Sequence, residues 1–169
     1  IDNASEDLGL PSCFPTCRNE NLIGIDLSSK LLYTDFSHAD LSNANLSNSL
    51  LTGVTLVEAN LKNADLSNAL FYNARLKEAD LRNVNLSRAS LQQAVLSSAD
   101  LAGANLQEAD CRSANLRGAN LAGANLKNAN LNEAKLYEAN LKDADLTGAS
   151  LQRVDLGKAD LTNAILTGA

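Results

Sequence analysis

Leucine recurs at every fifth position from Leu31 to Leu166, broken only by Phe36, Phe71 and Cys111, and the residue two places earlier is nearly always alanine. Between these apolar points the chain is polar, so the period itself selects the backbone. Five residues of α-helix turn through about 500°, which displaces successive leucines by roughly 140° and smears them around the axis. A continuous strand alternates its faces with a period of two, so a spacing of five sends alternate leucines to opposite sides. What remains is a short extended piece broken by a turn in each repeat. In Ala124-Asn125-Leu126-Lys127-Asn128, Ala124 and Leu126 point inward, Asn125 points outward, and Lys127-Asn128 make the corner. The second corner position is glycine at Gly53, Gly103 and Gly118, and asparagine at Asn43, Asn63 and Asn83. Those residue types tolerate positive φ.

The runs AGANL (102–106), RGANLAGANLKNANL (117–131) and KDADLTGASL (142–151) resemble the A(D/N)LXX motif of the pentapeptide-repeat family, over about four fifths of the chain. In style the chain is similar to short leucine-type members from cyanobacteria. The resemblance implies an all-β, right-handed quadrilateral β-helix with four pentapeptides per coil. The central positions from 31 to 166 then make about seven coils, and strand spacing gives a rod about 34 Å long. Residues twenty apart stack in columns, and one inward column reads Leu31, Leu51, Phe71, Leu91, Cys111, Leu131, Leu151. Cys111 reads as a buried leucine substitute and the alanine column as the small-residue wall that lets the sides approach.

The rhythm falters near the N-terminus. Leu22 and Leu27 keep the spacing, but Leu27 to Leu31 is four residues, which puts a missing corner residue near Ser28–Lys30 and makes Leu22 and Leu27 an irregular half coil. Residues 1–20 hold both prolines, two of three cysteines and no pentapeptide. They read as an N-terminal cap over the open end of the stack, with a helical turn near Ser5–Leu8 and Leu8, Leu10 and Phe14 as anchors. Residues 21–169 form the repeat domain. In CFPTC, Cys13 and Cys17 are close enough for a turn to bring them into a disulfide; two free thiols or a metal site are the rivals, and His38 is the one histidine available to a metal. A disulfide favours an oxidising compartment, periplasm or thylakoid lumen. No apolar run approaches the 18 residues of a membrane span, so no membrane insertion is expected.

Charge bears on function because the resemblance also implies a class of acidic rods that imitate DNA and inhibit type II topoisomerases. The net charge is −6. Residues 1–28 carry −4 of it, and the remaining −2 divides over the four sides as about +1, 0, −2 and −1. A nucleic-acid mimic needs a sustained negative stripe, and here Lys62, Arg82 and Lys142 interrupt Asp40, Asp80, Asp100 and Asp160. The same Asp/Asn column lacks the converging oxygens of a calcium site. No catalytic constellation, cofactor motif or nucleic-acid-binding motif is present, and a filled solenoid offers no evident cleft.

The functional expectation is therefore a non-catalytic rod with a protein partner. Leu50 and Leu70 occupy outward positions normally held by Asp or Asn, on one side and one coil apart, with Leu32, Tyr33 and Tyr72 at the adjoining corners. These five residues are the candidate interaction patch. Leu146 to Leu166 at the other end suggest end-to-end self-association through the C-terminal coil.

Overall fold

The computed structural model describes residues 10–169; Leu8 and the Ser5–Leu8 turn lie outside the described residues. One bridge residue and a two-residue turn alternate along the chain, with no helix among the described residues. From Asp35 onward every bridge is parallel and joins residues twenty apart, as in Asp40 to Asn60 and Asn60 to Asp80. Four bridge positions fall within each twenty-residue circuit, so the circuit has four sides. We name each side by its central residue: Leu51, Leu56, Leu61 or Leu66.

Successive circuits are zipped in both directions. The Leu61 N–H donates to the Asp80 carbonyl (2.7 Å), the Asp80 N–H donates to the Ala59 carbonyl (2.9 Å), and the Asn63 N–H donates to the Arg82 carbonyl (3.0 Å). Each corner closes on itself, as where Ala64 N–H donates to the Leu61 carbonyl at 3.0 Å. Its third residue has positive φ, 59° at Asn63, the requirement of a type II turn. The expected Gly and Asn positions meet this requirement, but so do Glu58, Arg88, Gln93 and Lys158. The left-handed conformation costs such residues about 1–2 kcal/mol. The ladder bond made by the same N–H, as from Arg88 to the Gln107 carbonyl (2.9 Å), offsets it.

The interior is filled. The central leucines from Leu41 to Leu146 and the alanines two places before them are buried, and Phe36, Phe71 and Cys111 are wholly inside, as their positions predict. Burial pushes the Cys111 thiol up to about 12, with the Asp110 charge adding to it, so the thiol stays protonated and inert.

The N-terminal circuit differs from the rest. Thr16, Asn21, Asp26 and Leu31 each bridge a residue nineteen further on, so the missing residue lies in the circuit that ends at Phe36. It is absent at Tyr33–Thr34 and not at Ser28–Lys30. Ser29 still supplies the positive φ of its corner, whereas no residue between Leu32 and Phe36 does. The lost residue is the left-handed one. Leu32 consequently takes the central inward place expected of Leu31, and Leu31 turns outward. Ladder and turn partners vanish with the lost residue: the backbone N–H groups of Thr34 and Asp35, whose counterparts Val54 and Thr55 donate to the Leu51 and Thr34 carbonyls, and the carbonyl of Thr52 have no hydrogen bond among the described residues. The Thr34 hydroxyl, in the alanine column and buried, is the unpartnered buried side-chain polar atom of the described chain.

Cys13 and Cys17 are disulfide-bonded. Cys17 fills a central core position above Phe36, and its N–H donates to the Asp35 carbonyl (2.9 Å). Cys13 lies nineteen residues before Leu32 and packs half-buried on the core beside Leu10. Cys13 to Cys17 is thus a second four-residue corner in register with Leu32 to Phe36, and the disulfide braces it. Phe14 is half-buried, outside the core cluster.

Candidate interaction face

The outward column of the Leu51 side runs Leu31, Leu50, Leu70, Ser90, Asp110, Asn130, Ser150 through consecutive bridges. Its first three members are apolar and exposed, at 50%, 42% and 42%, and Tyr33 (65%) and Tyr72 (41%) flank them at the corner. Leu32, expected among them, is fully buried, because the short corner lies after it and not before it. Leu31 replaces it in the patch. The spacing from Leu22 and Leu27 to Leu32 carried that signal, but the Leu31-Leu32 doublet fits either placement of the break. Between the two tyrosines the corner is shallow. One residue is missing above, and at Gly53 a side chain would meet open space. Ile23, exposed at the diagonally opposite corner of the same end, is a further exposed apolar residue outside this patch.

The other sides are polar and internally satisfied. Along the Leu61 side the Asp40 Oδ1 accepts from the Ser42 N–H (3.0 Å) and from Asn60 Nδ2 (3.0 Å), and the pattern repeats from Asn120 to Asp100 (2.9 Å) and Asn140 to Asn120 (3.0 Å). The Leu66 side has the same ladder through Asp65, Asn85, Asn105 and Asn125. Each side-chain oxygen thus caps its own corner and binds its neighbour in the next circuit, which is what keeps Asx in these columns. The Ser42 N–H holds the Asp40 carboxyl below its ordinary range, and the Arg82 guanidinium does the same for Asp80. No group of three or more His, Cys, Asp or Glu among the described residues is placed to hold a metal ion. His38 is exposed at a corner, 3.4 Å from Glu58.

Three of the four outward aspartates on the most negative side are also paired with cations. Asp80 lies against Arg82, Asp100 is 3.8 Å from the same guanidinium, and Asp160 is 3.2 Å from Lys142. At the far end Leu146 is buried, Leu151, Leu156 and Leu161 are half-buried, and Ile165 and Leu166 are exposed. No helix among the described residues is long and apolar enough to cross a membrane. One corner was not anticipated: the Tyr137 ring carries Arg117 at 4.8 Å and Lys158 at 5.1 Å. The ring lies over Gly157, where an added Cβ would come within 2.8 Å of it. That glycine therefore serves space and not φ.

The family model described as pentapeptide repeats matches residues 21–56, 29–68, 74–110, 94–132, 109–148 and 129–168. Among solved structures, the chain is 34% identical to HetL, a pentapeptide repeat protein involved in heterocyst differentiation regulation from the cyanobacterium Nostoc sp. strain PCC 7120, over 91% of this chain and 87% of that one, with a TM-score of 0.36. A pentapeptide repeat protein from the Arabidopsis thaliana thylakoid lumen is 30% identical over 50% of this chain and 63% of its own, at a TM-score of 0.41. QnrB1, a plasmid-mediated fluoroquinolone resistance protein, is 20% identical over 89% of both chains, and its TM-score of 0.53 speaks to fold alone. No curated protein matches the chain. The family match over most of the chain and the four-sided circuits together make this chain a member of the pentapeptide-repeat family, whose fold is the right-handed quadrilateral β-helix.

Proposed function

We propose that this protein is a non-catalytic rod, of about seven coils with residues 1–20 as its N-terminal cap, that binds a partner protein through Leu31, Leu50, Leu70, Tyr33 and Tyr72. One observation carries the reading: three consecutive members of a single outward column are exposed leucines, where the columns of the Leu61 and Leu66 sides present Asx as far as Ile165 and that of the Leu56 side has Val95 alone among polar and charged residues. Adjacent exposed apolar side chains flanked by tyrosines are the composition of the buried centre of a protein interface. The Cys13–Cys17 bridge supports work in an oxidising compartment, periplasm or thylakoid lumen. The half-buried leucines of the C-terminal circuit extend the proposal to end-to-end contact between copies, which sedimentation across a concentration range would detect.

The test is a Leu70→Asp variant compared with the parent in co-purification from the native source. Loss of a stoichiometric partner with unchanged thermal unfolding is the expected outcome, and retention of that partner discards the face. Imitation of nucleic acid is the competing reading. The pairing of Asp80, Asp100 and Asp160 with Arg82 and Lys142 weighs against it, since each cation interrupts the negative stripe. A gyrase supercoiling assay separates the two: inhibition at micromolar protein favours mimicry.

A further inference from the structure

Below Tyr72 the same corner changes character. Four successive corners carry a long polar side chain at one or both positions, and together they line a trough of about 390 Å³. A smaller hollow of about 160 Å³ lies beside Ser87, Arg88, Gln107 and Glu108 on the corner after the Leu66 column. The trough's charges are neutralised from within. Arg112 donates to both oxygens of Asp110 (2.9 and 2.7 Å), Gln92 adds a bond to the same carboxylate (2.6 Å), and Arg153 lies 3.5 Å from Glu133. Two amides, those of Gln93 and Gln152, stand at its rim with no side-chain hydrogen bond among the described residues. The Ser113 hydroxyl has only a long bond to Glu133 (3.3 Å).

From this arrangement we infer that the trough is a binding site for a neutral linear glycan, a β-1,4-linked chain of pyranose rings lying parallel to the rod axis. Three features select that class. The lining is polar and free of apolar pockets, so it lacks the side-chain pockets that read a peptide. The Arg112 guanidinium is already bound by both oxygens of Asp110, so an anionic chain would have to compete with that carboxylate for it. The polar groups repeat at the coil spacing of about 4.8 Å, close to the advance of one pyranose ring along an extended β-1,4 chain. Register between ligand and protein therefore persists over several rings. Tyr72, one coil above Gln92 on the same corner and half exposed, offers a ring face for a sugar at the upper end. The stacked backbone fixes all these groups in advance, which lowers the ordering cost of binding.

The inference shares Tyr72 with the leucine face, and the Leu70→Asp variant leaves the four corners that line the trough intact. Calorimetric titration of the full chain with cello-oligosaccharides of two to six rings tests it. Affinity is expected to rise with each ring up to four or five and then level off. A Gln93→Ala/Gln152→Ala variant is expected to bind cellotetraose about tenfold more weakly, the loss of two hydrogen bonds. Tyr72→Ala is expected to shorten the productive series by one ring, and both variants should unfold thermally like the parent. No saturable binding of cellotetraose at millimolar concentration overturns the inference. So does affinity independent of chain length, or tighter binding of an oligogalacturonate or of an extended peptide.

Discussion

The circuit that ends at Phe36 and the circuit below it are built from the same residue types, yet one lost corner residue separates a satisfied backbone from an unsatisfied one. In the lower circuit the N–H groups of Leu51, Gly53 and Val54 all find carbonyl partners within 3.1 Å. In the upper one Leu32 keeps its bond (2.9 Å), the residue matching Gly53 is missing, the N–H groups of Thr34 and Asp35 find no partner, and a buried hydroxyl is left unpaired beside them. The regular pentad therefore confers stability, and its interruption marks where the rod departs from inert scaffold: the exposed leucines, the two tyrosines and the disulfide all cluster there. Solenoid stability is a sum of circuit and neighbour terms, so this end can open without the rest.

The largest effect should come from the filled interior of the regular region. Leu96→Ala, wholly buried, should destabilise the rod by about 2–5 kcal/mol in denaturant titration. Leu32→Ala should cost less in the global transition, because the first circuit opens locally; an equal cost would erase the distinction between the two regions. Next in size is the bridge. Replacing Cys13 with Ser and Cys17 with Ala releases a four-residue span and should lower the stability of the first circuit by about 2 kcal/mol, seen as faster proteolysis confined to residues before Phe36. Thiol titration of the unfolded, unreduced parent should find one reactive group, Cys111, and three would remove the case for an oxidising compartment.

A smaller change sharpens the comparison from the other side. Thr34→Val should raise stability by about 1 kcal/mol, since it removes an unpartnered hydroxyl from a buried place. The reverse change in a regular circuit, Ala79→Thr, should destabilise in the same thermal assay. Smallest is the response to acid. Hydrogen bonds from Arg82 and Arg112 hold Asp80 and Asp110 below the ordinary carboxylate range, and those from Thr147 and Thr162 do so for Asp145 and Asp160. Their native values lie below their unfolded ones. The stabilisation they contribute is complete above about pH 4 and is lost as pH falls through the lowered native values. Because these groups sit mainly in the regular region, thermal stability should stay level from pH 7 to 5 and drop below 4.

The pentad excluded a helix and a continuous strand, the resemblance to the pentapeptide-repeat family supplied the four-sided coil, and together they placed Phe36, Phe71 and Cys111 correctly in the core. Column arithmetic on the sequence located Leu50, Leu70, Tyr33 and Tyr72 on one edge. It failed at Leu31 and Leu32, where two adjacent leucines satisfy a spacing of four or five equally well and only the backbone shows which corner lost its left-handed residue. The polar trough and the Tyr137–Gly157 contact were not legible either. Both depend on how long side chains fold across neighbouring corners, a matter of packing between circuits that no repeat period encodes.

Hydrogen exchange resolved to single amides tests the central claim most directly, by comparing one corner in two adjacent circuits. The amides of Thr34 and Asp35 should exchange much faster than those of Val54 and Thr55, their counterparts one coil below, while Tyr33 and Thr52, neither of them bonded, should exchange alike. Equal protection of the two corners would show that the short one is closed by bonds this account does not contain, and would contradict it.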